Sequence, residues 1–114
     1  MEDSSQQHRN TASRKLLELL LADKSSRSFK VLPDIMLYPY YYQVISRPIS
    51  LADIGMLISA SRYSFNEMQK DLRRMIGNAK KFNVPDSEVY QDALVMEVSR
   101  PRQGFLRQIF CIFL

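Results

Sequence analysis

Asn78-Ala79-Lys80-Lys81-Phe82-Asn83-Val84-Pro85-Asp86-Ser87-Glu88-Val89-Tyr90 holds a helix end, a short polar turn and the start of the next helix. Upstream of it, apolar residues recur at Phe65, Met68, Leu72, Met75, Ile76, Ala79 and Phe82. Steps of three and four mark one face of a helix. Pro85 cannot continue that helix, and it biases Val84 away from helical dihedrals. The spacing therefore predicts a helix over 65–82 that ends near Phe82 or Asn83. Asp86 or Ser87 can cap a following helix that carries Val89, Tyr90, Ala93, Leu94 and Met96. Asn83 thus stands at a helix exit. It can serve there as a terminator, since Asn tolerates left-handed dihedrals. Alternatively, its amide can point into a space between helices rather than satisfy its own backbone.

A second stretch decides between these. Leu32-Pro33 is followed by Tyr38-Pro39-Tyr40-Tyr41-Tyr42, then Ile45, then Pro48-Ile49. The pattern Tyr-Pro-x-Tyr-Tyr-x-x-Ile-x-x-Pro-Ile, about forty residues before Asn-Ala-x-x-Phe-Asn, resembles a bromodomain, the module that reads acetyl-lysine. Ser-x-Val-Tyr-x-Asp-Ala, here Ser87 to Ala93, is most similar to bromodomains of SWI/SNF, RSC and polybromo-type chromatin-remodelling subunits. The resemblance implies an all-α fold, a left-handed four-helix bundle with a long loop between helices one and two. It covers residues 10–98. Residues 1–9 are expected as a disordered leader and residues 99–114 as an atypical tail.

The bulk properties agree with one small helical domain. At 114 residues the chain is long enough for a single modest core, burying somewhat over roughly 60% of its unfolded surface. Hydrophobic content of 46% is ordinary for a globular chain. The first residues, Met1 to His8, are polar and do not read as a secretory signal. No apolar run reaches membrane-spanning length. One cysteine, Cys111, permits no internal disulfide. One histidine and that cysteine, in opposite tails, form no metal cluster. No cofactor is expected. The net charge is +4, but residues 1–97 hold 13 basic and 12 acidic residues. The surplus sits in Arg100, Arg102 and Arg107.

Taken in order, Thr11 or Ser13 can cap the first helix, whose Leu16, Leu17, Leu19, Leu20 and Leu21 give a wide apolar face. Ser25-Ser26-Arg27-Ser28 ends it. Residues 25–49 show no helical period and carry Pro33, Pro39 and Pro48. A loop this long belongs in a compact domain only if it is functional. Ser50, with Asp53 three residues on, opens the second helix as a capping-box variant, with Leu51, Ile54, Leu57 and Ile58 as its stripe. Tyr63 packs before the third helix, and Ser64 with Glu67 makes a second capping box. Lys70, Arg73, Arg74, Lys80 and Lys81 form a basic outer face, read as solvated, with weak DNA contact as the minority reading. Pro101 and Gly104 interrupt the long fourth helix of the family. The apolar run Phe105 to Leu114 departs from the family and reads as a truncated or alternatively spliced end, or a mispredicted gene model.

By resemblance, Asn83 donates to the acetyl carbonyl and Tyr41 holds a bridging water. The slot walls are Phe29, Ile35 or Met36, Leu37 and Val89, with Phe82 and Tyr90 beside them. Val89 stands at the family's gatekeeper position. Leu32 and Pro33 replace part of a Trp-Pro-Phe shelf, and the chain has no Trp. Tyr40 stands where the family has an acid. The implied function is binding of acetylated histone tails in a nuclear chromatin-remodelling complex, with other subunits of that complex as partners. Two rivals remain: a bromodomain-like scaffold that no longer reads acetyl-lysine, and a nucleic-acid-binding helical domain. An enzyme is not expected. The chain shows no nucleophile–base pair, and Gly55, Gly77 and Gly104 are isolated.

Overall fold

The apolar period from Phe65 to Phe82 becomes one helix with those same ends. The computed structural model describes residues 4–60 and 62–97, with side chains from residue 11 onward. In chain order these form α1 (Ser4–Ala22), a 3-10 turn (Lys24–Ser26), α2 (Pro39–Val44), α3 (Leu51–Ser59), α4 (Phe65–Phe82) and α5 (Glu88–Met96). No strand occurs among the described residues. The fold is all-α. Helix α4 is its centre and packs on α1, α3 and α5.

The reason lies in its face. Met68, Leu72, Met75, Ile76 and Ala79 are all buried. They meet Leu16 and Leu20 of α1, Ile54 and Ile58 of α3, and Ala93 and Met96 of α5 in one core. At its start, Ser64 Oγ accepts from the Glu67 backbone N–H. Lys80 and Lys81 stand in the last turn, where cations suit the helix dipole. On the outer face, Arg74 is engaged by Asp71 at 2.9 Å and Lys80 by Glu97 at 2.9 Å. Lys70, Arg73 and Lys81 are exposed.

Three boundaries differ from expectation. Helix α1 begins at Ser4, so residues 4–9 are helical rather than a disordered leader, and Thr11 and Ser13 lie inside it. No Gly or Pro interrupts that stretch, so the helix anchored by Leu16 and Leu20 extends backwards through residues of fair propensity. Its apolar face is also narrower than expected, since Leu21 is exposed. It ends at Ala22, before the serines. Asp23 then accepts from Ser25 N–H at 2.8 Å and from Ser25 Oγ at 2.6 Å, which opens the 3-10 turn. The third difference is α2, a six-residue helix inside the segment that shows no helical period. Pro39 at its first turn is preorganised for it.

Helix α3 carries the full capping box, with Ser50 and Asp53 bonded reciprocally. Leu51, Ile54 and Ile58 are buried as expected, whereas Leu57 is 38% exposed and lies outside the stripe. A Cβ added at Gly55 would stand 3.4 Å from Leu17 Cδ2, so α1 and α3 approach closely there. Tyr63 is buried, and its hydroxyl donates to Asp71 at 2.6 Å. Ser87, not Asp86, caps α5, accepting from Tyr90 N–H at 3.2 Å. Arg27 bonds Asp92 at 3.0 Å and also pairs with Glu88, which fastens the 3-10 turn to α5. The tail from residue 98 onward, with its arginines and Cys111, lies outside the described residues.

Candidate functional site

The long loop is held against the bundle by backbone and side-chain bonds. Leu51 N–H and Ala52 N–H, free in the first turn of α3, donate to Phe29 C=O at 2.8 Å and Lys30 C=O at 3.0 Å. Tyr42 hydroxyl donates to Pro33 C=O. Two side chains of α4 converge on Arg47 C=O, Arg74 Nε at 3.2 Å and Asn78 Nδ2 at 3.0 Å. Helix starts leave such donors without intrahelical partners, and here the loop supplies the acceptors.

Between this loop and the facing ends of α4 and α5 is a cavity of about 160 Å3. Five of the expected site residues line it: Phe29, Tyr41, Phe82, Asn83 and Val89. Four do not. Ile35, Met36 and Leu37 are exposed rather than walls of the slot. The cause is a tight turn at Asp34. Its carboxylate accepts from Met36 N–H at 2.8 Å, and its carbonyl accepts from Leu37 N–H and Tyr38 N–H. That turn directs the three apolar side chains outward. Tyr90 also lies outside the lining. It follows Val89 on α5, and consecutive helical side chains point about 100° apart.

The walls that sequence reasoning did not assign come from both sides. Val31 contributes from the loop, beside Leu32 and Pro33 that were expected as the shelf, with Ser28 at its start and Ile49 and Ser50 at its end. Met75 and Ala79 contribute from α4. These two share the helix face of Phe82 and Asn83 by their four-residue spacing, a signal that would have found them. Ile49 and Ser50 come by tertiary folding alone.

Asn83 is half-buried in extended backbone, with φ −103° and ψ 150°. Its side-chain amide donates to Ala79 C=O at 2.9 Å, and its backbone N–H reaches the same carbonyl at 3.0 Å. Asn83 thus bonds its own helix and still has a second amide N–H and a carbonyl. The left-handed terminator role is not used, because Asn83 has φ −103° and no described residue has a positive φ. Tyr41 packs edge-on against Phe82, with centroids 4.9 Å apart, and against Tyr42 at 5.3 Å. Burial, and then the neighbouring Tyr42, push its phenol above the ordinary value. It stays protonated at neutral pH, able both to donate and to accept.

Among the described residues, no Asp, Glu, Lys, Arg or His lines the cavity. Apolar walls with the amide of Asn83 and the hydroxyl of Tyr41 suit a neutral, elongated ligand with a carbonyl. Among the described residues, no group of three His, Cys, Asp or Glu could hold a metal ion.

Comparison with known proteins is consistent with this geometry. The bromodomain family model matches residues 13–95. The chain is 42% identical over 66 residues to the chromatin structure-remodeling complex subunit rsc1 of Schizosaccharomyces pombe, covering 57% of this chain and 8% of that protein. It is 36% identical over 103 residues to the subunit snf21 of the same yeast, covering 82% of this chain and 9% of that one. It therefore spans less than a tenth of either relative. Among solved structures, the bromodomain from human BAZ1A superposes with a TM-score of 0.67 at 21% identity, covering 73% of this chain and 82% of that one. Since the family match takes in most of the sequence, and the helical architecture is shared, the chain belongs to the bromodomain family.

Proposed function

We propose that this chain is an acetyl-lysine reader that binds acetylated histone tails and so brings a chromatin-remodelling complex to chromatin. The observation that carries the reading is the uncharged cavity with Asn83 and Tyr41 in its lining. Acetylation removes the lysine charge and leaves an amide on a four-carbon stem. Each stem methylene buried against Phe29, Leu32, Pro33 and Val89 contributes roughly 0.8 kcal/mol. The free N–H of the Asn83 amide donates to the acetyl oxygen, worth about 0.5–1.5 kcal/mol net. Tyr41 reaches the same oxygen through a bridging water.

Discrimination comes mainly from rejecting the unmodified side chain. Its ammonium would lose hydration in a cavity whose described lining offers no carboxylate, at a cost of several kcal/mol. One small pocket supports only weak binding, because association itself costs several kcal/mol. The affinity for a single mark is on the order of hundreds of micromolar, raised in a larger assembly by multivalency. Similarity to subunits of chromatin-remodelling complexes supports a nuclear location and other subunits of such a complex as partners. Contact with DNA through Lys70, Arg73 and Lys81 adds at most a weak, salt-sensitive contribution. The role is binding, not catalysis.

Titration of the protein with matched acetylated and unmodified histone-tail peptides tests this, with Asn83→Ala alongside and circular dichroism on both. Binding that requires acetylation, and that the variant loses while keeping its helicity, supports the reader. A folded chain that binds neither peptide is a scaffold instead.

A further inference from the structure

Exposed apolar side chains are not spread evenly over this molecule. Of the eleven large hydrophobics exposed among the described residues, seven fall in the two segments that frame the cavity. Six come from the loop over 31–40, and the seventh is Val84 between α4 and α5. Met36 is 85% exposed and Tyr40 66%. A concentration of this kind marks an interaction surface.

These side chains are continuous with the cavity. Val31 itself belongs to the lining. The Asp34 turn that presents Met36 and Leu37 begins directly after Pro33, which also lines it. The Tyr40 ring stands 6.1 Å from that of Phe82. Val84 follows Asn83. Residues 31–42 include a single charged side chain, Asp34, and its carboxylate already accepts from Met36 N–H. The loop side of the rim is therefore mainly apolar and aromatic, with Asp34 as its one acid, turned toward Met36 N–H.

We propose that this rim selects acetyl-lysines whose immediate neighbours are bulky apolar or aromatic residues, in preference to the basic neighbours common in charged tails; the inference rests on the reader assignment above. An extended peptide advances about 3.3 Å per residue, so side chains one or two positions from the acetyl-lysine fall on this rim. Burying them against Met36, Leu37 and Tyr40 removes apolar surface from water on both sides. Arginine stacked on the tyrosines is the competing arrangement.

Three short synthetic peptides with one central acetyl-lysine, flanked on both sides by Leu, Gly or Arg, separate the possibilities by calorimetric titration. The leucine-flanked peptide should bind about tenfold tighter than the glycine-flanked one, with the arginine-flanked one no tighter than glycine. In the double variant Met36→Ser, Tyr40→Asp the leucine and glycine peptides should differ by less than about twofold. Equal affinities in the natural chain, or tightest binding of the arginine peptide, overturn the inference. So does a leucine preference that survives in the variant. Loss of acetyl-dependence for all three peptides overturns the reader assignment itself, and this inference with it.

Discussion

Asn83 does two things at once. One amide N–H bonds Ala79 C=O in the last turn of α4, and the residue lines the cavity. Replacement by Ala should abolish acetyl-dependent binding. The fold should lose no more than about 1.5 kcal/mol, because one hydrogen bond at a half-exposed helix end is removed. Thermal unfolding of Asn83→Ala checks this, with a Tm drop of at most about 8 °C expected. Tyr41→Phe is the milder change. It keeps the ring packed on Phe82 and removes only the hydroxyl, so peptide affinity should fall by about three- to tenfold with Tm nearly unchanged. The place of both residues in the cavity lining was legible from their motifs alone. Ile35, Met36 and Leu37 were not placed correctly, because an apolar residue in a loop reads as a wall whichever way its turn points it. Here the turn at Asp34, closed by its carboxylate and its carbonyl, decides that direction.

At the scale of elements, helix ends set by local chemistry could be read from sequence. Ser50, Ser64 and Ser87 each accept from the N–H three residues on, and each opens a helix at the expected place. Ser64→Ala should therefore cost about 1 kcal/mol, measured as a shift in the denaturant midpoint at unchanged slope. Elements without a periodic face were not legible. The polar start of α1 and the six residues of α2 carry no stripe, and their extent depends on what they continue from or pack against. The loop shows the same dependence on tertiary contact. Arg74 and Asn78 of α4 hold Arg47 C=O, two residues before Ile49 at the cavity wall. Removing both donors as Arg74→Ala, Asn78→Ala should loosen residues 45–50. Hydrogen exchange should accelerate there, while amides of α1 and the first half of α4 keep their protection.

At the scale of the whole molecule, few polar groups among the described residues are committed to the interior, and they govern its response to solution conditions. Asp92 is 8% exposed and is met by Arg27, whose guanidinium pKa is raised chiefly by that hydrogen bond. Arg27→Ala should lower Tm more than Glu88→Gln, because only the former leaves a buried carboxylate without its cation. The phenols of Tyr41 and Tyr63 are both raised, in each case first by burial, and Tyr63 also by its bond to Asp71. A phenol kept neutral in the fold ionises first in the unfolded chain, at about pH 10. Stability should thus be intact below that pH and fall above it, and Tyr63→Phe should flatten the fall in alkaline denaturation curves.

The most direct test of the central claim is nuclear magnetic resonance mapping of the labelled chain during titration with a singly acetylated histone-tail peptide. The largest amide shifts should fall on Phe29, Tyr41, Asn83 and Val89, with further shifts over 31–40, and none should appear with the unmodified peptide. Shifts that are equal for both peptides, or that cluster on the α1–α3 face away from the cavity, would contradict an acetyl-lysine site at Asn83.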